Sequence, residues 1–445
     1  MENFSHLWCH SNYSLMRGAS AIGELCRATQ GLGMKALALT EVNGLYGAVR
    51  FWNTARETGI QPILGAELRT ATERVILLCR TPQGYERLCR ILTRRWLLPE
   101  NAVPGEEGTQ FDPCRELAED SEGLVILCPA PGLVEKLVRR RGNQDLYLAL
   151  GPGGRSRAGI ERAGRLGVPP VAANDVHFVG RDRYPLHRLL RAIAGNTTLD
   201  RLDPAGLASD EAWMKSPQQM ADLHPHCPEA IENAARIAAE CAMEKPPWGQ
   251  LIFPRYKKLD RADVFRLLQD RCDEGARRRY GARVPAAVRR RLDYELGLIR
   301  DKRFADYFLV VQDIVGRSPR TCGRGSAAAS VVSYCLGITH VDPVRYDLYF
   351  ERFLNKGRTD PPDIDVDFCW DERDDLLDAL FTDYGLERTA MIANHVGFRA
   401  RAAVREVAKV FGLPADEIQR VTGRLSSFWR SVNIEKETRS HPLFR

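Results

Sequence analysis

The 445-residue chain contains no run of about 18 apolar residues, so no membrane-spanning helix is expected. Its opening, Met1-Glu-Asn-Phe-Ser-His-Leu-Trp-Cys-His10, lacks the basic-then-apolar layout of a secretory signal. A cytoplasmic location is expected. Twelve Cys are scattered without a Cys-x-x-Cys pair, which excludes a zinc ribbon or a disulfide framework. Cys128 and Cys335 sit in apolar runs and read as buried thiols. No repeat with a period of about 20–50 residues is present, which excludes a solenoid or propeller. What remains is a globular composition, 44% hydrophobic and 27% charged, at a length that calls for more than one core.

The net charge is +6, and it is unevenly placed. From Leu386 to Arg445 there are eleven Lys or Arg against six Asp or Glu. A basic segment of this kind is either a solvated helical surface or a face for a polyanion.

The first third alternates strand and helix patterns. Ala21 to Leu32 and Ala48 to Thr58 read as helices. Strands are expected at Lys35–Thr40, Pro62–Leu68, Arg74–Cys79, Val125–Cys128, Leu146–Leu150 and Pro170–Ala173. This alternation predicts an α/β barrel with strands largely parallel. The Pro-rich stretch from Lys245 to Arg255 marks a boundary. Amphipathic helices are expected near 261–280 and 285–302, and a last one over Phe398–Phe411, stopped by Gly412-Leu-Pro414.

The most informative stretch is Pro361-Pro-Asp-Ile-Asp-Val-Asp-Phe368. On a strand, Asp363, Asp365 and Asp367 share one face, and Ile364, Val366 and Phe368 take the other. Neighbouring Asp Cα atoms then lie roughly 6–7 Å apart. Like charges that close repel unless a cation sits between them. Such a carboxylate pair can share two Mg2+ ions about 3.5–4 Å apart, as in-line phosphoryl transfer requires.

Forty residues earlier, Cys322-Gly-Arg-Gly-Ser-Ala-Ala-Ala-Ser330 leads into an apolar helix expected to run to Leu336. Gly323 and Gly325 let the backbone approach a ligand, and Ser326 is expected to cap the helix. The helix N-terminus favours an anion, and Arg324 adds a charge-assisted bond to phosphate. A phosphate loop followed by a carboxylate strand describes nucleotidyl transfer.

These motifs resemble the palm of the bacterial C-family DNA polymerase III alpha subunit. Gly323-Arg-Gly-Ser326, Asp342-Pro343, Phe350-Glu-Arg-Phe-Leu-Asn355 and Pro362–Phe368 match in order and spacing, as does Arg303–Val311 before them. Gly44–Phe51, Gly65–Leu68 and Asn394–Ala402 lean toward the error-prone, damage-response branch. The resemblance covers nearly the whole chain. It implies a PHP-type (β/α)7-like barrel at 1–245, a mixed α+β palm fragment at 246–386, and a basic helical thumb start at 387–445.

The resemblance also implies roles. Asp363 and Asp365 bind catalytic Mg2+. Gly323, Arg324, Gly325, Ser326 and Arg352 hold the triphosphate of a dNTP. Arg399, Arg401, Arg405 and Lys409 contact primer–template DNA. Other polymerase or damage-response subunits are further expected partners. In the PHP domain the His-x-His motif reads Trp8-Cys9-His10, and the expected Asp-His reads Glu41-Val42. His10, Glu67, Asp175 and His177 remain as ligands for at most one Zn2+ or Mn2+. Two departures stand out. The segment Gly316–Cys322 is short and contains Pro319, and the family's third catalytic aspartate falls beyond Arg445. The expected result of a primer-extension assay on these 445 residues with Mg2+ and dNTPs is no product, because two aspartates without the third should bind Mg2+ weakly and position it poorly; a polypeptide completing the palm and fingers is a further candidate partner. The alternatives are a PHP-type metal-dependent phosphoesterase and a non-catalytic DNA-binding remnant.

Overall fold

A computed structural model describes residues 4–98, 111–151, 157–250, 252–386, 388–423 and 425. It divides into two compact units, Met1–Gly249 with Val396–Arg445, and Gln250–His395.

The first unit is built on a six-stranded sheet in sequence order: β1 (Ala36–Val42), β2 (Gln61–Arg69), β3 (Arg74–Cys79), β4 (Leu124–Cys128), β5 (Leu146–Leu150) and β6 (Pro170–Ala172). β4 and β5 are buried along their whole length, as apolar runs covered on both faces must be. The expectation of largely parallel strands is corrected. β1/β2, β4/β5 and β5/β6 are parallel, but β3 is antiparallel to both of its neighbours. The reason is local. Only residues 70–73 separate β2 from β3, closed by the Thr70 N–H bonding Glu73 O at 2.9 Å. A parallel crossover needs about a dozen residues.

The chain before β1 closes the curl of the sheet. The Ala38 and Thr40 N–H groups donate to His6 O and Cys9 O, and the His10 N–H donates to Val176 O at 2.8 Å. Residues 6–10 thus lie between β1 and the segment just past β6. His10 and the 175–177 segment meet for this reason. The helix Ala400–Val410 packs with this unit, the Leu199 N–H bonding Val410 O at 3.1 Å. Gly412, at φ 76°, ends the turn that follows it, and Ala415–Thr422 forms the next helix.

In the second unit, helices Arg261–Tyr280, Ala286–Lys302 and Ala305–Val315 surround a core that includes Leu268, Leu292, Ile299, Phe308, Val332, Phe350 and Phe353. Asp260 caps the first helix and Gly281, at φ 86°, stops it. Gly275 is required by packing: a Cβ there would lie 2.0 Å from Cys335 O. Gly275→Ala is expected to cost about 1–3 kcal/mol, read as a lower denaturant midpoint. A two-stranded antiparallel sheet, β7 (Thr321–Arg324) with β8 (Asp365–Phe368), completes the unit. Among the described residues no helix is long and apolar enough to cross a membrane.

Candidate functional site

Each unit carries a cluster of chemically active side chains. In the first, the four residues expected as metal ligands do converge. His10 Nε2 lies 3.1 Å from Asp175 Oδ1 and 3.3 Å from Glu67 Oε2, and His177 Nε2 is 3.0 Å from Asp175 Oδ1. His10, Asp175 and His177 offer ligand atoms all within 4.8 Å of one another, a spacing that fits one ion. Burial works against a charged His10, but its bonds to Asp175 and Glu67 push the imidazole up to about 9. Burial takes His177 down to about 4 despite Asp175. The two imidazoles are thus shifted in opposite directions.

Arg74 was not singled out from the sequence. Its Nη2 bonds Asp175 Oδ2 at 2.6 Å and Glu67 Oε2 at 3.0 Å, and its Nε bonds Glu67 Oε1 at 3.1 Å. Its guanidinium carbon also sits 4.5 Å from the centre of the Trp8 ring. Trp8 Nε1 donates to Glu67 Oε2 at 2.7 Å, and Arg69 bonds the same carboxylate. Glu67 is thus fully committed to protein donors, and Asp175 is shared between two imidazoles and a guanidinium. Arg74 takes Asp175 Oδ2, while Asp175 Oδ1 faces the two imidazoles, so a guanidinium competes for one side of the carboxylate that His10 and His177 share on the other. Glu41 is buried and accepts from Ser11 and Ser14, which ties down the loop after His10. No sequence signal marks Arg74, because its partners lie 7 and 101 positions away.

In the second unit the alternation of the aspartate strand is realised. Asp363, Asp365 and Asp367 are exposed, while Ile364 and Val366 pack against the core. The Ile364 N–H donates to Tyr307 Oη at 3.3 Å, which positions the strand from behind. The β7/β8 register pairs Arg324 with Asp365 and Cys322 with Asp367. Arg324 Nε bonds Asp367 Oδ1 at 3.0 Å, and its Nη1 is 3.7 Å from Asp365 Oδ2. The loop therefore faces the carboxylates directly. Gly325 takes φ 70°, and a Cβ there would approach Asp365 Oδ2 to 3.2 Å. An exposed carboxylate pair of this kind suits a hard cation such as Mg2+.

Three details of the loop differ from expectation. Gly323 serves packing, since a Cβ there would sit 2.3 Å from Ile338 O. Gly325–Ala329 is a 3-10 turn, and Ser330, not Ser326, caps the helix Val331–Cys335 by accepting from the Ser333 N–H. The N-terminal amides of that helix are also taken. Glu295, fully buried, accepts from the Val331 and Val332 N–H groups at 3.1 and 3.2 Å and from Ser330 Oγ at 2.8 Å. An anion at the loop must use the residues before Ser330. Arg291 bonds Glu295, Ala329 O and Leu348 O, joining the turn to the Phe350–Arg352 segment that carries the exposed Arg352. The short Gly316–Cys322 stretch is anchored by Arg320 Nη2, 2.7 Å from both Asp371 and Glu372.

Arg401, Arg405 and Lys409 stand exposed on the helix Ala400–Val410, and Arg399 immediately precedes it. Arg405 and Lys409 both bond Glu406, which leaves Arg399 and Arg401 as the less neutralised charges. The residues of the expected thumb after 425 lie outside the described residues.

Comparison with known proteins gives two family matches. The PHP domain model matches residues 6–162, and the bacterial DNA polymerase III alpha NTPase domain model matches residues 266–445. The error-prone DNA polymerase of Symbiobacterium thermophilum is 34% identical over 460 residues, covering 95% of this chain and 42% of that relative. DNA polymerase III subunit alpha of Treponema pallidum is 32% identical, covering 94% of this chain and 39% of the relative. The error-prone DNA polymerase of Pseudomonas aeruginosa is 34% identical, covering 94% and 41%. The chain spans about two fifths of the length of the curated relatives it matches. The chain thus joins a match to the PHP domain with a match to the bacterial DNA polymerase III alpha NTPase domain, and nearly its whole length is similar to error-prone DNA polymerases and DNA polymerase III alpha subunits.

Proposed function

We propose that this chain contributes to template-directed DNA synthesis of the error-prone kind, in the cytoplasm, with the β7/β8 sheet as its share of the nucleotidyl-transfer site. One observation carries this reading: the register sets Arg324 and the Gly325 turn opposite Asp365. Asp363 and Asp365 would hold Mg2+, which would supply charge stabilisation for nucleotidyl transfer. Gly325 and Ser326 would meet the triphosphate of a dNTP through backbone amides. Arg324 and Arg352 would supply charge-assisted bonds, Arg324 exchanging its present partner Asp367 for phosphate oxygens. Primer–template DNA would lie along Arg399, Arg401, Arg405 and Lys409.

Mn2+ relaxation enhancement tests the metal assignment. Weak binding is expected in the chain, and Asp363→Asn with Asp365→Asn is expected to remove it; unchanged binding in the double variant would refute the assignment. Duplex binding is expected to weaken steeply with salt. Arg401→Ala is expected to lower the slope of log K against log salt by about one. The competing phosphoesterase reading is disfavoured by Arg74, which already holds the carboxylates of the barrel pocket. Assays of phosphomonoester hydrolysis with Mn2+ or Zn2+ are expected to show no turnover.

A further inference from the structure

The second unit leaves two large aromatic rings in water close to the phosphate loop. Tyr349 is 72% exposed and Tyr346 is 60% exposed. Single exposed rings are ordinary on a protein surface. These two differ in how firmly they are held. Phe350, the residue after Tyr349, is fully buried and packs edge-on against Tyr294 and Phe353, with ring centres 6.2 and 6.0 Å away. Before Tyr349, Leu348 O accepts from Arg291 Nη2 at 2.8 Å, and the Leu348 N–H bonds Pro343 O at 2.9 Å. With the residue on each side fixed, the Tyr349 ring stays outside.

Tyr346 is held by the turn before it. Asp342 Oδ1 accepts from the Val344 and Arg345 N–H groups at 3.0 and 3.1 Å and from Tyr280 Oη at 2.7 Å. The Tyr346 N–H bonds Asp342 O at 3.2 Å, and Asp347 takes a left-handed φ of 48°. The Arg345 guanidinium carbon lies 5.5 Å from the centre of the Tyr346 ring. Arg345 and Arg352 are exposed, as are Asp347 and Glu351, but Glu351 already accepts from Tyr294 Oη at 3.1 Å. The segment adjoins the phosphate loop. Arg291 Nη2 bonds both Leu348 O and Ala329 O, and Ala329 ends the turn that begins at Gly325. Tyr349 immediately precedes the turn Phe350–Arg352.

Fixed, exposed tyrosines beside an arginine suit a ligand with flat apolar faces and negative charge. An unpaired base offers such faces, and its strand carries one phosphate per nucleotide. A duplex hides the same faces in its own stack. We infer that Tyr346 and Tyr349 form a stacking platform for unpaired bases of single-stranded DNA, with Arg345 attracting the backbone. Stacking accepts any base, which suits a strand of arbitrary sequence. The strand held here is the unpaired template beside the nucleotidyl-transfer site. That role rests on the palm reading proposed above; the binding itself does not.

Fluorescence anisotropy of the 445-residue chain with a dye-labelled strand of about twelve thymidines, in EDTA, tests it. A second strand keeps the phosphates and replaces every base with an abasic site. Tyr349→Leu is expected to weaken binding of the thymidine strand about tenfold, and Tyr346→Leu about fivefold or more. Tyr349→Phe is expected to keep the parent affinity, because stacking needs the ring and not the hydroxyl. The abasic strand is expected to bind the parent and both leucine variants alike. Both rings are exposed, so the leucine variants are expected to melt with the parent, and a thermal scan checks this. Equal affinity of the parent for the two strands would overturn the inference and leave the rings to a protein partner. An unchanged thymidine affinity in both leucine variants, or equal weakening on both strands, would also overturn it. Displacement of the thymidine strand by dTTP would overturn it in favour of the base of a free nucleotide. The palm reading is tested separately by the Mn2+ titration of Asp363→Asn with Asp365→Asn, and its failure would remove the template role while the platform stands.

Discussion

Glu295→Ala is expected to destabilise the second unit by about 3–5 kcal/mol, since it removes one partner of a buried charge pair. Glu295 is fully buried, and its two oxygens satisfy Arg291, the Ser330 hydroxyl and two helix amides. Alanine leaves those donors in a dry interior, where each unpaired group costs about 1–3 kcal/mol before relaxation. Water entering the space left by the side chain recovers part of this. Glu295→Gln keeps the shape and one acceptor, so its loss should be clearly smaller. Thermal unfolding of both variants checks the order. A loss below about 1 kcal/mol in Glu295→Ala would show that the network is dispensable. The same substitution should loosen the phosphate loop, because Glu295 and Arg291 are what hold residues 329–332 to the helix Ala286–Lys302. Amide hydrogen exchange at Ala327–Val332 is expected to accelerate in Glu295→Ala even well below its melting temperature.

Arg74→Ala should cost the first unit about 3 kcal/mol, at the lower end for a broken buried pair because Arg69, His10 and Trp8 still attend Glu67. Its second effect is more diagnostic. With the guanidinium gone, Asp175 and Glu67 lose a competing cation, while His10, Asp175 and His177 keep their ligand spacing. Zn2+ is therefore expected to stabilise Arg74→Ala more than the parent chain, with added His10→Ala abolishing the effect. If Zn2+ stabilises the parent equally, Arg74 does not exclude the metal. If it stabilises neither, the three ligands are too constrained to close on an ion.

Much of the fold was legible as local pattern. Strands such as Arg74–Cys79 and Leu146–Leu150 are continuous apolar runs between polar turns, and their limits follow from the residues alone. The direction of β3 was legible too, in the four-residue turn before it, but a general strand–helix alternation outweighed that short-range signal. The cap at Ser330 was misplaced because Gly325-Ser326 is a plausible helix start in sequence. In the structure the left-handed Gly325 leads instead into a 3-10 turn, and the α-helix begins five residues later than the predicted cap.

The two sites divide the same way. The aspartate face follows from a period of two, so Asp363, just ahead of β8, and Asp365 and Asp367 within it could be placed on one side with no knowledge of the fold. His10, Glu67, Asp175 and His177 could be named as a group only through family resemblance. What the sequence alone determined were the elements and their apolar and polar faces, because those depend on neighbours a few positions apart. Only the tertiary structure decided which charge answers which. Arg74 meets Glu67 and Asp175, and Glu295 meets the first amides of the helix Val331–Cys335. Arg74 with Asp175 and Glu295 with Val331 join residues tens of positions apart, and nothing in the spacing of a chain specifies which buried charge will find which partner.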